Sequence, residues 1–191
     1  MQFENNCKIC RKKTHCCIFS GDSGFAFVGI RTAKKIRQET GKDYSGFLEY
    51  TPLPKKIVAG LKNEEDILEG GLRYTQLDKK YRILRLKKKK DGRCIFLDEA
   101  GKCEIYQIRP NICRIYPFWV MKLQNGKLKV IKHDHDSGCG IVKNIKMNSE
   151  LDLLLSGKQI SDMKEIFRKI HEENIHYKKN VGSFVKENNL E

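Results

Sequence analysis

Eight cysteines constrain this 191-residue chain more than any other feature, because most of them stand at short spacings. Four lie near the start in the pattern Cys-x2-Cys-x5-Cys-Cys, three follow further along, and one stands alone after them. Thiolates at such spacings are typical ligands of zinc and of iron–sulfur clusters. The candidate metal ligands are Cys7, Cys10, Cys16, Cys17, Cys94, Cys103, Cys113 and Cys139.

The first group indicates how its thiols are presented. The pair Cys7 and Cys10 is typical of a tight knuckle that turns two thiolates toward one metal. In an extended segment Cys16 and Cys17 would point to opposite sides, and so would serve two metals or two edges of one cluster. One tetrahedral zinc needs four ligands. Two four-cysteine sites, each completed by downstream cysteines, are the simplest arrangement, and one cluster with spare or catalytic thiols is the alternative.

The cellular compartment decides whether the cysteines are more suited to bind metal or to form disulfides. The opening MQFENNCKIC lacks a basic stretch followed by an apolar one, so we predict no secretory signal. The longest apolar runs, such as LDLLL at 151–155, are too short to span a bilayer. We therefore expect a cytoplasmic protein without a membrane span. In a reducing compartment cysteines remain as thiols and do not form disulfides, which favours metal binding.

The chain is basic, with 38 lysines and arginines against 24 acidic residues and a formal net charge of +14. Such a balance attracts polyanions, including RNA, DNA and anionic lipid surfaces. Solvated surface lysines explain the same composition without a partner. A nucleic-acid partner through a basic surface is therefore one expectation, beside an unidentified redox or protein partner.

Local patterns predict hairpins and helices. Residues 32–41 are typical of a short helix that starts at Thr32 and stops at Gly41. Residues 81–87 and 93–98 are predicted to pair around a turn at Asp91-Gly92, with the lysine run 87–90 at its solvated end. A second hairpin is predicted around Asn125-Gly126.

The C-terminal third is predicted to be helical. One helix is expected over residues 148–155 and a second from near Ser161, where Ser161 or Asp162 with Glu165 resembles a capping box. An apolar stripe at helical period indicates that the second helix packs on the rest of the chain. The stripe consists of Met163, Ile166, Phe167, Ile170 and Tyr177.

Taken together, the cysteine groups resemble a zinc- or iron-chelating cysteine-cluster family with the signature CxxCxxxCC (YkgJ-like proteins). The matching elements are CIFL at 94–97, CEIYQIRPNICRIYP at 103–117 and CGI at 139–141, and the resemblance spans residues 5–145, loosely over 32–90. This chain departs from the family pattern in the five residues between Cys10 and Cys16, and in the absence of a proline after Cys139. Flagellin lysine methylases carry a similar cysteine domain but are longer.

Residues between the cysteines have candidate roles of their own. Arg109 and Arg114 lie close to Cys113 in sequence, where fixed cations offset site charge; surface ion pairs are the alternative. Tyr106 and Tyr116, with Phe118 and Trp119, are expected to wall the site from water. Three histidines stand near cysteines and could be ligands, although eight thiols make that role unnecessary. They are His15, His133 and His135.

These observations predict an α+β fold: a small single domain of β-hairpins and short helices gathered around a cysteine metal centre. We expect a cysteine-cluster domain over residues 1–145 and a C-terminal helical extension over 146–191 packed on it. The expected cofactor is an iron–sulfur cluster, 4Fe–4S first, or zinc, in a redox or catalytic/accessory protein. The alternatives are a zinc-stabilised nucleic-acid-binding module and an enzyme similar to protein lysine methylases.

Overall fold

The computed structural model describes residues 17, 26–55, 58–59, 78–123, 125–132 and 155–191. Short helices, two small antiparallel sheets and one long C-terminal helix make a mixed α+β structure, which confirms the predicted class. In chain order the elements are α1 (Ile30–Thr40), α2 (Tyr44–Phe47), β1 (Leu48–Pro52), β2 (Arg82–Leu86), α3 (Asn111–Ile115), β3 (Phe118–Lys122), β4 (Leu128–Lys132) and α4 (Gly157–Glu187).

Helix α1 confirms the first predicted helix but begins earlier, at Ile30 rather than Thr32. The Thr32 hydroxyl does not cap the helix; it donates to Glu173 of α4 at 2.6 Å. The end of the helix is as predicted. Gly41 takes a left-handed conformation, φ 67°, in which its N–H donates to the carbonyl of Arg37.

The first sheet pairs β1 with β2, from Leu48 opposite Leu86 to Pro52 opposite Arg82. The predicted turn at Asp91-Gly92 is present, with Gly92 at φ 83° and the N–H of Lys89 bonded to the carbonyl of Arg93 at 2.7 Å. The prediction that residues 93–98 form the partner strand of the whole segment 81–87 is wrong, because β1 pairs with residues 82–86.

An extended stretch before α1 lies on the other side of β2, where Val28 N–H donates to the carbonyl of Leu84 at 2.9 Å. Both edges of β2 are therefore occupied, and residues 93–98 cannot pair along it. They pair with the chain just after the end of β2, where Lys88 forms an isolated bridge with Cys94.

The second sheet confirms the predicted hairpin. Strands β3 and β4 pair along their whole length, from Phe118 opposite Lys132 to Lys122 opposite Leu128. At the turn, Gly126 has φ 76°, a conformation that favours glycine.

Helix α4 begins at Gly157, not near Ser161. Its N-cap is Ser156, which forms a complete capping box with Gln159 and satisfies two backbone N–H groups of the first turn. The predicted stripe from Met163 to Tyr177 is buried, and it continues through Val181 to Phe184 and Val185. The other predicted C-terminal helix falls on residues 148–154, which lie outside the described residues, as does most of the first cysteine group.

Three apolar clusters of the described residues share the length of α4, and the smallest joins Ile166 and Ile170 to Ile115 of α3. The first half of the helix packs on the β3–β4 hairpin through Met163 and Phe167. The second half packs through Tyr177 and Phe184 into a larger cluster that contains α1, β2 and the cysteine-bearing segment. The Tyr177 hydroxyl accepts a hydrogen bond from the N–H of Leu84 at 2.8 Å. Among the helices of the described residues, none combines the length and apolar character that a bilayer crossing requires.

Candidate metal centre

Four of the eight predicted ligands lie in the described part of the chain: Cys17, Cys94, Cys103 and Cys113. The remaining four candidates and the three candidate histidines lie outside it. These are Cys7, Cys10, Cys16, Cys139, His15, His133 and His135.

A backbone hydrogen bond joins the two cysteine groups. The N–H of Cys94 donates to the carbonyl of Cys17 at 2.7 Å, so the last cysteine of the first group lies directly against the first cysteine of the second. Cys94 is only 5% exposed. These two residues are 77 positions apart in the chain, and the sequence patterns could not locate this contact.

Tight turns present the other two cysteines. Cys103 bridges to Leu97 across a turn that contains Gly101 at φ 74°. Cys113 lies in the single-turn helix α3, and its N–H donates to the carbonyl of Pro110 at 2.9 Å. Pro110 is extended at ψ 147° and caps this helix, as expected for a proline that starts a turn.

The four described cysteines pack on one apolar cluster: Cys94 belongs to it, and Cys17, Cys103 and Cys113 pack against it. No disulfide joins any two of them. Within the described residues, no three Cys, His, Asp or Glu side chains are placed to hold a metal ion. A ligand set therefore requires cysteines outside the described residues or a closer approach of these four on binding.

Two lysines donate to backbone carbonyls of neighbouring segments: Lys89 to the loop that carries Cys94, and Lys87 to α2. The Lys89 ammonium donates to the carbonyl of Leu97 at 2.6 Å, and the Lys87 ammonium donates to the carbonyl of Ser45 at 2.6 Å. The lysine run 87–90 is thus not simply the solvated end of a hairpin, because two of its side chains bond to neighbouring segments. At the turn itself, hydrogen bonds from the backbone and then the side chain of Arg93 hold the pKa of Asp91 below its usual range.

Arg109 and Tyr106 form a stacked pair in the segment between Cys103 and Cys113. The guanidinium carbon lies 3.7 Å from the centre of the Tyr106 ring, which is a close cation–π contact. Two polar atoms of this pair, Arg109 Nε and Tyr106 Oη, are buried and have no hydrogen-bond partner among the described residues. The second arginine, Arg114, and Tyr116 are both partly exposed.

A shared carboxylate ties this segment to the helices. Glu173 of α4 accepts from Asn111 Nδ2 at 3.1 Å with one oxygen and from Thr32 Oγ1 at 2.6 Å with the other. The helix bearing Cys113 is thereby linked to α1 and α4. No local sequence signal marks Glu173 for this role, because its partners lie 62 and 141 positions away.

The structure places two of the expected aromatic walls between the β3–β4 hairpin and α4, although Trp119 also packs with Ile115 and Ile112 of the helix that carries Cys113. Phe118 belongs to the cluster between the β3–β4 hairpin and α4. Trp119 packs edge-on against Phe167, with ring centres 5.8 Å apart. The apolar cluster on which the cysteines pack contains other aromatic residues, including Phe47 and Phe96, and Ile95, Ile108 and Ile112 pack against the same cluster.

Comparison with known proteins agrees with the cysteine pattern. Residues 55–141 match the model of the CxxCxxCC family, described as "Putative zinc- or iron-chelating domain". The match contains Cys94, Cys103, Cys113 and Cys139 but not the first cysteine group.

A second similarity is shorter. The uncharacterized protein MJ0661 of Methanocaldococcus jannaschii is 55% identical over 38 residues, which are 19% of this chain and 20% of that protein. The similarity thus spans about a fifth of that relative's length. No solved structure matches the chain. The family resemblance indicated by the cysteine motifs is confirmed by the match of the CxxCxxCC model over residues 55–141.

Proposed function

We propose that this chain holds an iron–sulfur cluster, 4Fe–4S in type, through thiolates from both cysteine groups, and that it serves a redox or accessory catalytic role. The observation that carries the proposal is the packing of Cys17, Cys94, Cys103 and Cys113 around one core. The matched family is described as chelating zinc or iron. The choice of an iron–sulfur cluster rests on this chain's own residues.

The distribution of the cysteines favours iron–sulfur over structural zinc. Structural zinc sites commonly use two paired knuckles, whereas here Cys7 and Cys10 form the one such pair and the rest are single or adjacent. Iron–sulfur clusters take single cysteines at varied spacings. The apolar side chains beside the described thiols exclude water, which protects a cluster from oxidation and tunes its potential.

The unpaired donors of Arg109 and Tyr106 fit a negatively charged centre. A buried donor without a partner costs roughly 1–3 kcal/mol, so two in one short segment call for an acceptor. Thiolate sulfur is such an acceptor, and both residues lie between Cys103 and Cys113. When bound, an iron–sulfur cluster supplies one-electron transfer. The cysteines would hold the cluster, while Arg109 and Tyr106 would donate to its sulfur ligands.

The test is metal analysis of protein purified without oxygen. We expect iron and acid-labile sulfide in equal amounts, and a brown protein whose absorbance near ~400 nm is bleached by dithionite. Colourless protein with stoichiometric zinc and no sulfide would contradict the iron–sulfur proposal and favour the zinc alternative.

The two arginines near Cys113 offer a matched pair of variants. Arg109→Gln removes a buried donor, and Arg114→Gln removes the same charge from a partly exposed position. We expect faster loss of bound metal to a chelator from the Arg109 variant, by about tenfold, if one charge-assisted hydrogen bond of ~1.4 kcal/mol is lost. Arg114→Gln should release metal at the wild-type rate. Equal rates for the two variants would show that Arg109 does not contact the centre.

A further inference from the structure

We infer that helix α1 is a docking surface for the phosphate backbone of duplex DNA, through a stripe formed by Arg31, Lys34 and Lys35. This inference does not depend on the metal centre. All three side chains are exposed. They stand at i, i+3 and i+4, so they share one face of the helix and span about 6 Å along its axis.

The core fixes the orientation of this stripe. Ile30, Ala33 and Ile36 are the buried residues of α1 and belong to the large apolar cluster. The opposite face of the helix therefore points to solvent. Because the buried face is anchored, the three cations are presented by a rigid element rather than by a loop.

The cations of the stripe lack the partners that other cations in this molecule have. Among the described residues, no ion pair involves Arg31, Lys34 or Lys35. Glu39 of α1 stands four residues after Lys35 but forms no ion pair with it among the described residues. Asp43 pairs with Arg37, and the carboxylate of Glu173 has both oxygens engaged by Thr32 and Asn111. Elsewhere, basic side chains pair with carboxylates: Arg82 with Asp78, Arg85 with Glu49, Arg93 with Asp91, and Arg168 and Lys169 with Glu165.

This arrangement opposes the stability of the helix. Like charges at i, i+3 and i, i+4 repel each other. The first turn contains no acidic residue, and Arg31 stands in it, where the helix dipole disfavours a cation. A polyanion bound along this face would relieve both effects.

The chemistry of the face favours duplex DNA over other polyanions. Helices that bind membrane surfaces bury apolar residues in the lipid, but the apolar residues of α1 are already in the core. Single-strand binding uses exposed aromatic rings for base stacking, and α1 contains none. A B-form major groove admits a helix, whereas the deep groove of duplex RNA does not admit side chains.

The experiment measures binding of a labelled duplex DNA to the full chain by fluorescence anisotropy between about 50 and 200 mM salt. Over this interval binding through phosphate contacts weakens by orders of magnitude, because each contact contributes roughly −0.9 to the slope of log K against log salt concentration. For the variant R31Q/K34Q/K35Q we expect the slope of log K against log salt to become shallower by about 2.7. The matched control K127Q/K129Q/K158Q removes the same number of charges from exposed positions on the β3–β4 hairpin and the start of α4. Lys158 is also far from the part of α4 that contacts α1, because it lies about 22 Å along the helix from Glu173.

The proposal requires the control to keep the wild-type slope, and the charge-preserving variant R31K/K34R/K35R to keep it as well. Equal weakening by the two glutamine variants would show diffuse attraction and overturn the proposal. Loss of binding in the charge-preserving variant would also overturn it. The proposal fails as well if wild-type protein binds anionic phosphatidylserine vesicles, single-stranded DNA or duplex RNA more tightly than duplex DNA. Metal content, measured on every sample, is expected to be unchanged, which separates this result from the fate of the iron–sulfur proposal.

Discussion

The cysteine segment, residues 88–115, and the hairpin region, residues 118–132 with the first half of α4, are built in different ways. In the hairpin region, two strands pair fully and a capped helix buries Met163 and Phe167 against them. In the cysteine segment, two isolated bridges and the single turn of α3 are the regular structure among the described residues. Apolar packing and backbone pairing account for the hairpin region, while the cysteine segment depends on turns, side-chain contacts and, we propose, its thiol ligands.

Removal of the metal should produce the largest difference between the two regions. Treatment with a chelator under reducing conditions is expected to abolish amide protection in residues 88–115 and to leave the β3–β4 hairpin protected, because binding energy at thiolate sites, on the order of 10 kcal/mol, is coupled to local folding. Hydrogen–deuterium exchange read by mass spectrometry, segment by segment, measures both regions in one sample. Protection that survives chelation in both regions would mean that the cysteine segment is stable without a metal.

A cavity in the hairpin region should lower stability without changing metal content. Met163 is fully buried, so Met163→Ala is expected to lower the free energy of unfolding by about 2–5 kcal/mol. Because Met163 packs in the hairpin cluster, which contains none of the four described cysteines, metal content per chain should stay at the wild-type value. Urea unfolding and metal analysis of the same preparation test the two statements. A loss of metal comparable to that of a cysteine variant would show that the regions are not independent.

Local signals predicted the hairpin region well and the rest less well. Asn125-Gly126 needs nothing beyond its own turn, and Gly41 ends α1 by a conformation that glycine alone takes readily. The partner of residues 81–87 was mistaken, because β1 lies 34 residues earlier in the chain and its pairing depends on the whole core. The predicted start of α4 is too late because Asp162 with Glu165 has the same capping-box spacing as Ser156 with Gln159, and it is Ser156 that caps the helix.

The candidate site shows the same division. Pro110 and the turn that presents Cys113 follow from local chemistry. The contact of Cys17 with Cys94, the engagement of Lys89 and the role of Glu173 all join residues far apart in sequence, so no spacing could reveal them. Phe118 and Trp119 stand beside the cysteine motif in sequence, yet β3 turns them toward α4.

A smaller effect is expected at the β1–β2 sheet. Asp78 accepts hydrogen bonds from Tyr50 Oη at 2.6 Å and from Arg82 Nε at 2.9 Å. Burial raises its pKa, but these bonds, that of Tyr50 first, outweigh burial and hold the pKa of Asp78 below its ordinary value. Asp78→Asn should therefore cost about 1.5–3 kcal/mol near neutral pH.

The pH dependence gives this prediction its sign. A carboxyl with a lowered folded-state pKa contributes its full stability above the unfolded value, about 3.9, and loses it as the pH falls through the folded value. Wild-type protein should thus lose its advantage over Asp78→Asn as the pH falls below about 4, and thermal unfolding of the two proteins from pH 7 to pH 3 measures the convergence. A constant difference across that range would assign the effect to packing rather than to charge.

The central claim is that cysteines from both groups serve one centre, and the metal and sulfide content of Cys17→Ser and Cys94→Ser variants, purified without oxygen beside wild-type protein, tests it most directly. The account predicts that each substitution lowers iron and sulfide together, since the two residues lie against each other in the structure. Full loading of Cys17→Ser, alongside loss from Cys94→Ser, would contradict it.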